Sequence, residues 1–161
     1  MKPAEVSTQS DREVLVKRSF DAPVNLVWQA YTDPALMRRW LTAMPGWSMP
    51  VCEMATHVGG KYRWRWRSED GQEFGFTGEM LEVALHSKIV HTQIFDPGNL
   101  GGSMGGEPYI VTVTFNEANG MTNVATSIKF ASQADRDAAF STGMTDGMEM
   151  SYKQLDGVLA G

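Results

Sequence analysis

Rings and cations alternate with a period of two between residues 59 and 67, which read Gly-Gly-Lys-Tyr-Arg-Trp-Arg-Trp-Arg. Successive side chains of a β-strand point to opposite faces. Tyr62, Trp64 and Trp66 therefore share one face, and Arg63, Arg65 and Arg67 the other. A helix would scatter them around its circumference, so the pattern predicts a strand. Strands are also predicted over 13–20, 74–83, 88–95, 109–115 and 124–130, with a brief one over 51–54. Helical spacing appears in two places. Val24, Val27, Trp28 and Tyr31 follow Asp21-Ala22-Pro23 and predict a short amphipathic helix. Asp33-Pro34 then reads as an N-cap and a first-turn proline opening a second short helix through Trp40. Near the end, Ser132-Gln133-Ala134-Asp135 resembles a capping box, and Phe140, Met144, Met148, Leu155 and Leu159 recur at helical intervals. Gly143 and Gly147 weaken the middle, so a short helix followed by a longer one, or a single kinked helix, is expected.

The connections have specific turn chemistry. Asp70-Gly71 and Asn119-Gly120 tolerate the positive φ values of tight hairpins, so each should join two antiparallel strands. The glycine-rich stretch from Pro97 to Pro108 reads as a mobile loop. The order of elements predicts an α+β fold in which a curved antiparallel sheet folds against one long C-terminal helix. Residues 1–10 are expected to be a flexible segment preceding a single domain over 11–161.

Composition narrows the function. A chain of 161 residues can bury a sizeable core, and a net charge of −5 opposes broad binding to nucleic acid or anionic membranes. Binding of single-stranded nucleic acid needs rings and cations on a shared face, whereas the alternation here separates them. The single cysteine, Cys52, excludes an internal disulfide framework and a CxxC metal site. No apolar run is long enough to span a bilayer, so no membrane insertion is expected. The polar N-terminus does not read as a signal peptide, and the expected location is cytoplasmic.

Several segments together resemble a known family: Phe20-Asp21-Ala22-Pro23, Val27-Trp28, Tyr31-Thr32-Asp33-Pro34, Arg39-Trp40, Gly59-Gly60-Lys61-Tyr62, Asp70-Gly71, Gly78 and Glu82-Val83. Ser141-Thr142-Gly143-Met144 and Gly147-Met148-Glu149 extend the likeness to the C-terminal helix. In order and spacing they resemble the AHSA1-like family, named for the activator of Hsp90 ATPase, within the START-like or SRPBCC superfamily. The resemblance implies a helix-grip (START/Bet v 1-like) fold. It also implies a cavity between sheet and helix that holds apolar or amphipathic small molecules. Superfamily members include lipid carriers, polyketide cyclases and aromatases, and chaperone-activating domains, with no shared catalytic motif. Where the family often has an aromatic after the glycine at position 147, this chain has Met148.

The candidate ligand-binding residues follow from faces. Tyr62, Trp64 and Trp66 form one wall; Phe74, Phe76, Gly78 and Met80 another; Val111, Val113 and Phe115 a third. The terminal helix would offer Phe140, Met144, Met148 and Leu155. Gly78 either admits a ligand closely or marks a bulge. His91 and Gln93, with Tyr62, are the candidate polar contacts, although the facing of the 88–95 strand stays open because Ile89, Val90 and Ile94 fall on both faces. The aromatic face of 62–66 fills a core or walls a cavity. Arg63, Arg65 and Arg67 read as a solvated face with partners such as Glu73 or Glu79.

Other chemistry finds little support. Gly101-Gly102-Ser103-Met104-Gly105 matches G-x-S-x-G, but its context lacks the strand-to-helix turn of a serine-hydrolase elbow. His57, His86 and His91 show no metal-ligand spacing, so no metal or cofactor is expected. The leading expectation is a small hydrophobic or aromatic ligand. A cyclase- or aromatase-like enzyme acting on a polyketide-like substrate is the alternative. A chaperone-interaction module ranks last, and homodimerisation stays open.

Overall fold

A computed structural model describes residues 2–42, 44–98 and 107–161. In chain order the strands and helices are β1 (Glu5–Ser10), β2 (Glu13–Phe20), α1 (Val24–Thr32), α2 (Pro34–Trp40), β3 (Trp47–Met54), β4 (Lys61–Ser68), β5 (Glu73–Ala84), β6 (Lys88–Asp96), β7 (Tyr109–Ala118), β8 (Met121–Lys129), α3 (Gln133–Ser141) and α4 (Met144–Ala160). All strands pair antiparallel in one curved sheet ordered β1-β2-β8-β7-β6-β5-β4-β3. Two short helices after β2 and the long terminal helix cover one face, which is the helix-grip arrangement.

The local signals act as their chemistry requires. The Asp33 carboxylate accepts from the Ala35 N–H at 2.9 Å and starts α2. The Ser132 hydroxyl accepts from the Asp135 N–H at 3.1 Å and starts α3. Asn119 and Gly120 take φ values of 57° and 76°, the paired positive angles of a tight hairpin, between β7 and β8. Gly143 adopts φ 79° and divides the terminal helical segment into α3 and α4.

Two expectations are corrected. The segment expected to be flexible holds a strand over Glu5–Ser10, in which Glu5, Val6 and Ser7 pair with Lys17, Val16 and Leu15. Every β1 side chain is exposed, so the strand has no buried face and hence no alternation to read. Backbone pairing holds it, and the Ala4 N–H donates to Glu149 Oε1 at 2.9 Å. The brief strand expected at 51–54 begins at Trp47, with the register shifting between Ser48 and Val51 around Pro50. Proline cannot donate to a ladder, and β3 tolerates it because it is the sheet's edge.

The core lies between the sheet and α4. Val14, Val16 and Phe20 of β2, Val124 and Ile128 of β8, and Tyr152 and Leu155 of α4 are all buried there. Full burial of a side chain such as Leu155 contributes about 1.5–3 kcal/mol. Arg18 shares this inward face and is only 3% exposed. Its guanidinium donates to Asp156 at 2.7 Å and Glu149 at 3.2 Å, both on α4, and lies 5.1 Å from the Phe20 ring centre. A buried cation thus ties the C-terminal helix to the sheet.

Candidate ligand cavity

Beside this anchored region the sheet and helices leave a cavity of about 750 Å³. The strands supply Trp64 and Trp66 (β4), Phe74 and Phe76 (β5), Ile89, His91, Gln93 and Phe95 (β6), Tyr109, Val111 and Val113 (β7), and Thr126 and Ile128 (β8). Phe130, just beyond β8, adds a further ring. From the helices come Met37 and Trp40 of α2, Ala139 of α3, and Met144, Gly147, Met148, Ser151 and Tyr152 of α4. None of the described lining residues is Asp, Glu, Lys or Arg.

Of the residues expected from sequence, Trp64, Trp66, Phe74, Phe76, His91, Gln93, Val113, Met144 and Met148 meet around this space. The odd positions of β6 face inward, which resolves the strand's orientation; Ile94 on the opposite face is exposed. Tyr62, Gly78, Met80, Phe115 and Phe140 do not line the cavity. Tyr62 lies opposite Gly78 in the β4–β5 register and turns its ring over it. A side chain added at Gly78 would place its Cβ 2.0 Å from the Thr92 carbonyl oxygen and 2.5 Å from Tyr62 Cε1. Gly78 therefore makes room for a tyrosine, and the idea that it admits a ligand is corrected. Met80 is enclosed in the core at 1% exposure. Phe115 packs under α1, its ring centre 5.2 Å from both Trp28 and Tyr31. Phe140 belongs to α3, and the break at Gly143 resets the helical phase, so Ala139 takes the inward position.

Several lining residues went unnoticed. Tyr109 has the same parity as Val111 and Val113 and could have been read from that alternation. Trp40 reads in the sequence as a helix end and as part of the Arg39-Trp40 resemblance, not as a cavity residue; its indole N–H donates to the Ala30 carbonyl at 2.8 Å. Thr126 and Ile128 share the parity of Val124 on β8.

Polar groups on this wall centre on one backbone carbonyl. The Thr92 oxygen accepts from the Tyr62 hydroxyl at 2.7 Å and lies 2.9 Å from His91 Nδ1. Between the paired positions Thr77–Ile94 and Met80–His91, a 3.0 Å bond from the Glu79 N–H to Thr92 Oγ1 joins β5 to β6, while the Tyr62 hydroxyl ties β4 to β6. Gln93 Nε2 donates to the Tyr109 hydroxyl at 3.1 Å. Burial lowers the His91 pKa from its ordinary value of 6.5, favouring the neutral ring. Desolvation likewise raises the Tyr109 pKa and moves that of Tyr152 up to about 12, so both hydroxyls stay protonated. The Tyr31 hydroxyl and Trp64 Nε1 are enclosed without a hydrogen-bond partner. Such unmet groups are uncommon in native interiors and cost about 1–3 kcal/mol each.

Other candidate chemistry does not assemble among the described residues. Among the described residues no three His, Cys, Asp or Glu side chains stand close enough to hold a metal. Cys52 is buried and desolvation raises its pKa, which disfavours the reactive thiolate. Ser103 and its flanking glycines lie outside the described residues. Arg63 and Arg67 are exposed; Arg65 pairs with Asp96 at 2.5 Å and, more distantly, with Glu73 at 3.9 Å. No helix among the described residues is long and apolar enough to cross a membrane.

A curved sheet gripping a terminal helix around an apolar cavity defines a START-like, or SRPBCC, architecture. The family model for activator of Hsp90 ATPase homolog 1-like proteins matches residues 21–160, and the chain belongs to that family. No curated protein matches the sequence significantly. Among solved structures, the chain is similar to a Rhodobacter sphaeroides protein at 29% identity and a TM-score of 0.90, covering 99% of each chain. A Mycobacterium smegmatis protein gives 21% identity and a TM-score of 0.85 over 98% of this chain and 97% of its own. A Nitrosomonas europaea protein gives 21% identity and 0.81 over 94% and 96%. The latter two likenesses concern the fold alone.

Proposed function

We propose that this protein binds a small apolar or aromatic molecule in the cavity between its sheet and α4. The observation that carries the reading is the cavity itself: about 750 Å³, walled by rings and methionines, with no charged side chain among its described lining residues. Small-molecule sites commonly fall within roughly 300–1,000 Å³ and combine apolar walls with a few polar groups. His91, Gln93 and Tyr109 supply those groups here. Met37, Met144 and Met148 are unbranched and polarizable, so they can repack around ligands of different outline.

The test is a native mass spectrum of gently purified protein, together with titration by the uncharged dye 1-N-phenylnaphthylamine. One-to-one binding that changes tryptophan emission is expected, with weaker binding by Met148→Trp, which fills the cavity. Native protein that retains no small molecule and binds no neutral probe would refute the proposal.

A cyclase- or aromatase-like activity is the second reading, favoured by one observation. His91 is the one imidazole among the described lining residues and could accept a proton from a bound substrate. Turnover of a polyketide-like substrate that is lost in His91→Gln, with binding retained, would support it.

A further inference from the structure

The hydrogen bonding around Thr92 fixes what the polar end of the cavity can recognise. A carbonyl oxygen only accepts, so the 2.9 Å contact to His91 Nδ1 requires the hydrogen to sit on Nδ1. In the neutral ring Nε2 then carries a lone pair and acts as an acceptor. That nitrogen has no partner among the described residues. The Tyr62 ring lies 4.9 Å from the imidazole, but its hydroxyl is already committed to the Thr92 carbonyl at 2.7 Å. The Trp64 ring, 6.4 Å away, presents another aromatic surface. Thus Nε2 of His91 is an unpaired acceptor of fixed orientation in an aromatic wall.

We propose that the cavity selects an uncharged, ring-containing molecule whose hydroxyl or N–H group donates a hydrogen bond to Nε2 of His91. This rests on the ligand-binding reading above and adds a chemical class to it. A carboxylate is disfavoured twice. It would leave water without a cation among the described lining residues, and at Nε2 its oxygens would meet an acceptor lone pair. Protonating His91 would reverse the second objection, but burial opposes that charge. A ring bearing only an ether would fill the space and leave Nε2 unmatched.

The test uses the full chain and four probes on one scaffold: naphthalene, 2-methoxynaphthalene, 2-naphthol and 2-naphthoate, each titrated calorimetrically near neutral pH. The phenol should bind about tenfold more tightly than the methyl ether, as one net hydrogen bond implies. The carboxylate should bind most weakly. In His91→Leu the phenol-to-ether ratio should fall towards one, whereas His91→Gln, which retains an acceptor, should keep part of it. Imidazole ¹⁵N shifts should place the hydrogen on Nδ1; a hydrogen on Nε2 would overturn the proposal even if His91→Leu failed to fold. Equal affinities of phenol and ether, or tightest binding of the carboxylate, would overturn the His91 assignment while leaving cavity binding standing. Binding of none of the four would overturn both.

Discussion

Replacing Gly78 with alanine should destabilise the protein far more than a methyl group in a strand ordinarily does. The ideal Cβ meets the Thr92 carbonyl oxygen at 2.0 Å and the Tyr62 hydroxyl oxygen at 2.7 Å. The carbonyl belongs to the neighbouring strand, so the methyl cannot be accommodated by a rotamer change alone. Overpacking of this kind costs about 1–3 kcal/mol. Displacing Tyr62 from the Thr92 carbonyl also loses a buried hydrogen bond, about 1 kcal/mol net and more if the hydroxyl finds no partner. Reduced freedom of the unfolded chain offsets about 0.4–1 kcal/mol. The balance is a loss of about 1–3.5 kcal/mol, which for a domain of this size lowers Tm by roughly 2–14 °C. Thermal and urea unfolding monitored by circular dichroism would measure it. A Gly78→Ala protein melting within about 2 °C of the parent would show that Tyr62 and β6 yield easily, and the packing argument would fail.

Three further outcomes are expected. Arg18→Met should cost about 2–3 kcal/mol, because Glu149 and Asp156 lose their cation but remain partly open to water. The double change Glu149→Gln and Asp156→Asn should cost more, by stranding a buried cation; urea midpoints giving the reverse order would contradict this. Stability should fall as pH drops below about 6.5, because unfolded His91 takes up a proton there while the folded ring, whose pKa is lowered by burial, does not. A pH series of unfolding midpoints should show His91→Leu losing this component; an unchanged pH dependence would refute its assignment to His91. Truncation before Ser132 should abolish cooperative unfolding, since Tyr152 and Leu155 leave the core together; a sharp calorimetric transition in the truncated chain would argue against the helix-grip dependence.

The framework was legible where chemistry is local. Asp33 and Ser132 could be read as caps and Asn119-Gly120 as a hairpin, since each needs only its immediate neighbours. The cavity was legible strand by strand, through alternation at Trp64 and Trp66 and at Phe74 and Phe76. What failed depended on partners across space. The Asp70-Gly71 turn brings Tyr62 opposite Gly78, a pairing that could have been counted, but the tyrosine's use of the vacant position required the fold. Phe140 was misplaced because a helical stripe was continued through Gly143, where the backbone changes hand. Arg18 broke the apolar face of β2 visibly, yet its partners lie more than a hundred residues away. β1 carried no signal because none of its side chains is buried.

The terminal helix divides its tasks along its length. Glu149, Tyr152, Leu155 and Asp156 hold it to the sheet, whereas Met148 and Met144, one turn and two turns before Tyr152, face the open space. Substitutions at Met144 can reshape what the chamber accepts while the fastening stays intact. Met144 stands about 12 Å along the helix before Tyr152, and sites more than about 7–10 Å apart with no shared partners usually vary independently in their energetic effects. The architecture therefore lets chemical preference drift through descendants without each change endangering the fold.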